Sequence, residues 1–141
     1  MKLTVIELAK KSDVAPHIIR YYARTGLLHP MSDTENGYRL FAEEDVTRVR
    51  FIRRAQRLGF KLKEIAQIFD ESRRKKSACP IVREIIQRRV KENKDKLNKL
   101  GRLQGRMEKA LVQWKSMPDG VPDGNSVCHL IESVIEAEKS A

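Results

Sequence analysis

The fold is decided by residues 80–117, which read PIVREIIQRRVKENKDKLNKLGRLQGRMEKALVQWKSM. Uncharged residues recur there at alternating steps of four and three: Ile86, Val90, Asn93, Leu97, Leu100, Gln104, Met107, Leu111 and Trp114. This a/d heptad pattern predicts a helix that pairs with a second helix. At ~1.5 Å per residue the helix is roughly 50 Å long, too long to fold back on the preceding segment. The simplest partner is a second copy of the chain, in an antiparallel or a parallel dimer.

Length and composition narrow the class of protein. The chain has 141 residues and a formal net charge of +10, which suits one domain of ordinary size with an extension. No apolar run is long enough to span a bilayer, and Glu7 interrupts the N-terminus before a signal-peptide core could form. We therefore expect a cytoplasmic protein with no membrane partner. There, the two cysteines should be reduced thiols or metal ligands rather than a disulfide.

The charge is concentrated in the middle of the chain. Residues 1–70 hold 13 basic and 9 acidic residues, a net +4, whereas residues 71–115 hold 15 and 5, a net +10. Residues 116–141 hold 1 and 5, a net −4. Such a basic chain favours a polyanionic partner, most often nucleic acid. The alternative for the middle segment is that its charge solvates the outer face of a coiled coil.

The N-terminal residues predict a helix-turn-helix. Thr4 and Glu7 have the spacing of a capping box, so a first helix is expected over about Val5–Ser12. Pro16 suits the first turn of a second helix, and Gly26 suits the position just after its end. Two short helices joined by a tight turn form this motif.

The second helix has polar side chains suited to DNA. His17, Arg20, Tyr21 and Arg24 recur at steps of three and four, which places them along one side. Arginine bonds guanine edges or phosphate, and a tyrosine hydroxyl donates to phosphate. The alternative is a solvated amphipathic helix.

The next segments predict a hairpin and two more helices. Asn36-Gly37 is a tight-turn dipeptide followed by a return strand over 38–41, so Tyr38 and Arg39 would lie near the tip of a wing or of a plain surface hairpin. Acidic residues before Val46 suit the start of a third helix, which Gly59 would end. A fourth helix is expected over Leu62–Phe69, followed by a polar linker over 71–76.

Several of these motifs together resemble one family. The run IRYYARTGLL at 19–28 is similar to the hallmark of the MerR family of transcription regulators, as is NGYRLF at 36–41. Separate residues further along the chain also match the family pattern: DV at 45–46, FI at 51–52, LGF at 58–60 and EI at 64–65. The resemblance therefore covers about residues 1–115. It implies an all-α fold with a small β wing. The implied parts are a winged helix-turn-helix DNA-binding domain over 1–70, a hinge over 71–79, an antiparallel coiled-coil dimerisation helix over 80–116, and an effector-binding loop with a short terminal helix over 117–141.

The resemblance also implies a mechanism. Family members are homodimers that bind a palindromic operator in an over-long promoter spacer and repress from there. With effector bound they distort the DNA, so that RNA polymerase engages both promoter elements. On the matching positions, His17 and Arg20 are expected to face the major groove. The backbone contacts are expected from Tyr21, Arg24, Tyr38 and Arg39.

Other functions have less support. The sequence has no Gly-rich phosphate loop, nucleophile elbow or HExxH motif, so we do not expect an enzyme. An architectural DNA-binding dimer without a small effector is the stronger rival, because a winged helix-turn-helix dimer needs no ligand.

The effector question rests on few residues. Cys79 starts the long helix, whose dipole favours a thiolate. A turn-rich loop over 117–125 precedes a short terminal helix that Ser126 would cap and that would hold Cys128, His129 and Ile135. In an antiparallel dimer Cys79 of one chain comes near Cys128 of the other. Two equivalent sites per dimer would follow.

This arrangement resembles the metal-sensing branch of the family. Sensors of mercury, zinc, cadmium or lead in that branch have one cysteine at the start of the long helix and two around the loop, whereas this chain has none between Ser116 and Val127. The copper-type cysteine pair within the loop is also absent. Two thiolates suffice for a linear soft ion, and a zinc-like site would add His129 or an aspartate. The alternatives are a redox- or electrophile-responsive pair, two small buried residues, or an effector unrelated to thiols.

Overall fold

A computed structural model describes residues 2–32, 35 and 37–134, in two units that divide between Arg89 and Val90. Within these residues six helices and three short strands follow one another: β1 Lys2–Leu3, α1 Val5–Ser12, α2 Pro16–Arg24, β2 Met31–Ser32, β3 Arg39–Ala42, α3 Asp45–Arg57, α4 Leu62–Arg73, α5 Cys79–Trp114 and α6 His129–Glu132. The predicted fold class, mostly helical with a small β wing, is confirmed.

The helix-turn-helix forms as its capping residues predict. The hydroxyl of Thr4 accepts from the Glu7 backbone N–H at 3.2 Å, and the Glu7 carboxylate accepts from the Thr4 N–H at 2.9 Å. α1 ends at Asp13, whose φ of 59° is left-handed. α2 begins at Pro16, and Gly26, with φ 86°, turns the chain after it.

The wing is a three-stranded antiparallel sheet in the order β1-β3-β2. Met31 pairs with Leu40 and Ser32 with Arg39, so six residues connect β2 to β3. The predicted turn at Asn36-Gly37 lies partly outside the described residues. β1 was not predicted, because two residues become a strand only through pairing with β3.

The core of the first unit packs α1, α2, α3 and α4 together with the wing. Its most deeply buried large side chains are Tyr22, Phe41, Leu8, Ile19, Leu28, Ile52, Ile65 and Val49. The Tyr22 hydroxyl donates to Gln56 of α3 at 2.7 Å, and Arg50 of α3 donates to the Lys11 carbonyl at 3.0 Å. Since α2 buries Ile19 and Tyr22 here, its opposite side faces outward.

α4 is longer than the sequence predicted. It continues to Arg73 rather than ending at Phe69, because residues 70–73 contain no helix breaker and an Arg73–Asp70 ion pair of 2.8 Å supports its last turn. The first residues of the predicted linker at 71–76 are therefore helical.

A buried ion pair joins α4 to the start of α5. Glu64 is 5% exposed, and its carboxylate accepts from Arg89 at 2.6 Å and from the Lys61 N–H at 2.8 Å. Arg89 also donates to the Gly59 carbonyl. These hydrogen bonds, led by that of Arg89, lower the pKa of Glu64 from its ordinary value.

The second unit contains α5 from Val90 onward, the following loop and α6. The heptad positions of α5 are exposed within the single chain, 54% at Val90, 66% at Leu97 and 60% at Leu100. A row of exposed aliphatic side chains at this spacing is the surface that a partner helix covers in a coiled coil.

The terminal helix departs from the prediction at its start. Cys128, not Ser126, is the residue before α6, and no side chain caps it. The Ser126 hydroxyl instead donates to the Glu132 carboxylate at 2.6 Å, so the predicted cap was wrong. The expected extension of the helix to Ile135 lies outside the described residues. No helix in the described part of the chain is long and apolar enough to cross a membrane.

Candidate functional site

The outward side of α2 presents the four polar side chains that the helical spacing predicted. His17, Arg20, Tyr21 and Arg24 are all exposed. The Arg24 guanidinium lies 5.6 Å from the centre of the Tyr21 ring, within range of a cation–π contact. This contact orders two long side chains on a surface that is otherwise open to solvent.

The wing adds two more of the predicted residues to the same region. Arg20 and Arg24 of α2 line a groove of about 710 Å³ together with Tyr38 and Arg39. His17 and Tyr21 are not among its lining residues. The groove therefore combines three guanidinium groups and a phenol, the donors that hold phosphate and read base edges.

The N-terminus of α1 completes the groove, a contribution that the sequence analysis missed. Thr4, Val5 and Ile6 line it. The capping box already engages the N–H groups of Thr4 and Glu7. The Val5 and Ile6 N–H groups, which have no intrahelical partner at the positive end of the helix dipole, therefore suit a phosphate oxygen. The capping box at Thr4 and Glu7 was the available signal, but only the folded wing shows that this helix end faces the arginines.

The two cysteines occupy different settings. Cys79 is exposed at the first residue of α5, and its N–H is 3.3 Å from the Ser77 hydroxyl oxygen, which accepts from it. Cys128 is half-buried next to α6 in the second unit. Both are free thiols.

Residues 117–128, hereafter the effector loop after the role that the sequence predicts for them, are joined to α6 by specific contacts. Glu132 accepts from the Ser126 hydroxyl at 2.6 Å and from the Val127 N–H at 2.9 Å, and these bonds, that of Ser126 foremost, lower its pKa. Trp114, at the end of α5, donates its indole N–H to the Leu130 carbonyl at 2.8 Å. α6 is thus tied to the loop on one side and to α5 on the other.

His129 packs against the effector loop. Its Nε2 is 2.9 Å from the Pro118 carbonyl oxygen, and its ring fills the space in front of Gly120. A Cβ at Gly120 would lie only 2.4 Å from the Cδ2 atom of His129. The predicted ligand His129 is therefore already engaged with the loop through Nε2.

The donor set suits a soft or borderline metal ion only in part. Over residues 2–32, 35 and 37–134 no three His, Cys, Asp or Glu side chains come together in a way that could hold a metal. Cys128 and His129 line a loop cavity of about 570 Å³ with Asp119 and Asp123. A thiol beside carboxylates is compatible with a zinc-class ion, but one chain supplies too few ligands in one place.

Comparison with known proteins identifies relatives over nearly the full chain. The family model for MerR HTH regulatory proteins matches residues 3–72, and the model for the MerR DNA-binding region matches residues 46–110. The chain is 31% identical over 138 residues to the mercuric resistance operon regulatory protein of Bacillus cereus, covering 96% of this chain and 99% of the relative. It is 33% identical over 129 residues to the HTH-type transcriptional regulator ZntR of Escherichia coli K12, covering 91% and 89%.

A solved structure has the same fold. The transcription regulator PbrR691 from Ralstonia metallidurans CH34, in complex with lead(II), superposes with a TM-score of 0.72 over 93% of this chain and 98% of that one. The two sequences are 24% identical in that alignment, so this likeness concerns the fold.

Proposed function

Because the chain belongs to the MerR family of transcription regulators, we propose that it binds a palindromic promoter operator as a homodimer and switches transcription when a thiophilic or divalent metal ion binds. The chain is a DNA-binding regulator and not an enzyme. The finer proposal concerns the effector, the dimer and the residues that contact DNA.

The groove between α2, the wing and α1 is the observation that carries the DNA-binding part. Arg20, Arg24, Arg39 and Tyr38 line it beside a helix N-terminus, a set of donors that matches a phosphate backbone next to a base edge. His17 and Tyr21 extend the contact along α2. Phosphate neutralisation by these arginines makes affinity fall steeply as salt rises.

The exposed heptad face of α5 supports the homodimer. Leu97, Leu100 and Leu111 are each more than half exposed in the single chain, and a second α5 covers them. Antiparallel pairing brings Cys79 at the start of one helix toward the partner's loop with Cys128. Each dimer then holds two equivalent sites, which explains why one chain alone supplies too few ligands.

A metal ion held by residues of both chains would tie the two chains together at each end of the coiled coil. The relative named as a mercuric resistance operon regulatory protein favours this effector class, to which the resemblance to the metal-sensing branch adds zinc, cadmium and lead. In our proposal the thiolates of Cys79 and Cys128 are the ligands. Effector binding would then change the DNA geometry for RNA polymerase, a form of recognition by DNA deformation.

Thiol titration and metal analysis of the purified dimer test the effector class. We expect Zn²⁺, Cd²⁺, Pb²⁺ or Hg²⁺ to protect both cysteines from a thiol reagent at two ions per dimer. Reversible disulfide formation without metal protection would instead support the redox alternative. A dimer that binds operator DNA but responds to neither would support an architectural role.

A further inference from the structure

The contact between His129 and Gly120 has a chemical consequence for the effector loop. A backbone carbonyl oxygen can only accept a hydrogen bond, so the His129 Nε2 that lies 2.9 Å from the Pro118 oxygen is the protonated, donating nitrogen. A protonated ring nitrogen has no lone pair for a metal, so only Nδ1 of this ring has one. Nε2 therefore serves the loop, eleven residues back in the chain.

Gly120 has no side chain at the point where the His129 ring packs against the backbone. A Cβ built there would lie 2.4 Å from Cδ2 and 2.9 Å from Nε2 of His129. These distances are far below van der Waals contact, so any larger residue at 120 displaces the imidazole. The hydrogen bond to Pro118 fixes the His129 ring, and the absence of a side chain at Gly120 leaves the space that the ring occupies.

From these contacts we propose that His129 is a positioning residue: its Nε2–H and its ring lock the effector loop onto α6 and so set the place of the neighbouring Cys128 thiol. This inference rests on the proposed metal-sensing function. It assigns the imidazole next to Cys128 a structural purpose and leaves the thiolates of Cys79 and Cys128 as the primary ligands. Outer groups that orient ligands in this way commonly change metal affinity by about 10- to 100-fold when they are removed.

Two pairs of variants separate positioning from ligation. Gly120→Ala keeps the imidazole but displaces it, whereas Gly124→Ala is the matched control, because a Cβ at 124 meets no atom within 4 Å. His129→Gln places an amide N–H where Nε2 stood and restores the bond to Pro118. The shorter amide of His129→Asn lies near the place of Nδ1 instead, and leaves the Pro118 carbonyl oxygen without a hydrogen-bond donor.

The single tryptophan gives a readout that needs no metal. Trp114 donates to the Leu130 carbonyl, one residue beyond His129, so loss of the loop contact should loosen α6 and expose the indole. We expect stronger acrylamide quenching of metal-free Gly120→Ala and His129→Asn dimers than of wild type. Gly124→Ala and His129→Gln should match wild type.

Affinities for Zn²⁺, Cd²⁺, Pb²⁺ and Hg²⁺, measured by chelator competition, should follow the same order, with a loss of about tenfold or more in Gly120→Ala and His129→Asn. A His129→Gln dimer that loses affinity as His129→Asn does would make His129 a ligand and overturn the inference. Equal quenching and affinity in Gly120→Ala and Gly124→Ala would overturn it too. A wild-type dimer that binds none of these ions contradicts the proposed effector class, while the metal-free quenching comparison still decides the role of His129.

Discussion

Replacing Arg89 by Met should destabilise the first unit more than the loss of any surface ion pair. The guanidinium bonds the Glu64 carboxylate at 2.6 Å and also reaches the Gly59 carbonyl, and the two ionised side chains are 14% and 7% exposed. Methionine keeps most of the aliphatic length of the side chain. The variant therefore removes the charge and its hydrogen bonds without opening a large cavity.

The magnitude follows from what remains around Glu64. Removing one partner of a buried ion pair costs about 3–5 kcal/mol, because the other charge is left buried. Here the Lys61 N–H still donates to the carboxylate, and the Arg88 guanidinium lies 3.6 Å away. We therefore expect a loss of about 3 kcal/mol in the free energy of unfolding, near the lower end of that range.

Urea denaturation followed by circular dichroism measures this loss, with all variants at one protomer concentration because the proposed dimerisation would add to stability. Lys11→Met is the matched control, since the Lys11–Glu43 pair has a distance of 2.8 Å but side chains that are 48% and 46% exposed. Its loss should stay below about 1 kcal/mol. The double variant with Glu64→Gln should cost less than the sum of its single changes, because neither charge is then left alone. An Arg89→Met variant no less stable than Lys11→Met would refute this reasoning.

Three further outcomes are expected. The folded-state pKa of Glu64 lies below its ordinary value of 4.5. The stability that the ionised Glu64 contributes is therefore present above that pH and is lost as the pH falls through the lower folded pKa. The free energies of unfolding of wild type and Glu64→Gln should accordingly converge at acid pH in denaturation experiments. Arg20→Ala should weaken operator binding by about 1–3 kcal/mol in gel shifts. The control variant Arg102→Ala removes the same charge from α5 and should leave operator binding unchanged. Equal effects of the two substitutions would remove Arg20 from the DNA interface. Leu97→Asp should dissociate the dimer in light scattering while the exposed neighbour Asn98→Asp leaves it intact; an intact Leu97→Asp dimer would exclude the heptad face as the interface.

Local signals in the sequence predicted most of the first unit. The Thr4–Glu7 capping box and the Pro16 and Gly26 positions act within a few residues of the chain, and the helices begin and end where they indicate. β1 was missed because a two-residue strand depends on pairing with β3, some forty residues away. The end of α4 was misplaced because polar residues that form helices well resemble a linker in composition.

The candidate sites were predictable to different degrees. Helical spacing placed His17, Arg20, Tyr21 and Arg24 on one exposed side of α2, as the structure has them. Their assignment as DNA contacts, like the domain boundaries and the cysteine ligands, stays a prediction. The seating of His129 on Gly120 could not be foreseen, because it joins residues nine positions apart across an irregular loop.

One measurement tests the central claim most directly: transcription in vitro from the operator promoter, with DNase footprinting on the same samples, for wild type, Cys128→Ser and Cys79→Ser, with and without each candidate metal ion. We predict that one ion raises transcription by wild type while operator occupancy stays nearly constant, and that either serine variant occupies the operator but no longer responds. Transcription that no ion changes, or that rises only as the protein leaves the DNA, would contradict the account. An undiminished response in both serine variants would contradict it as well.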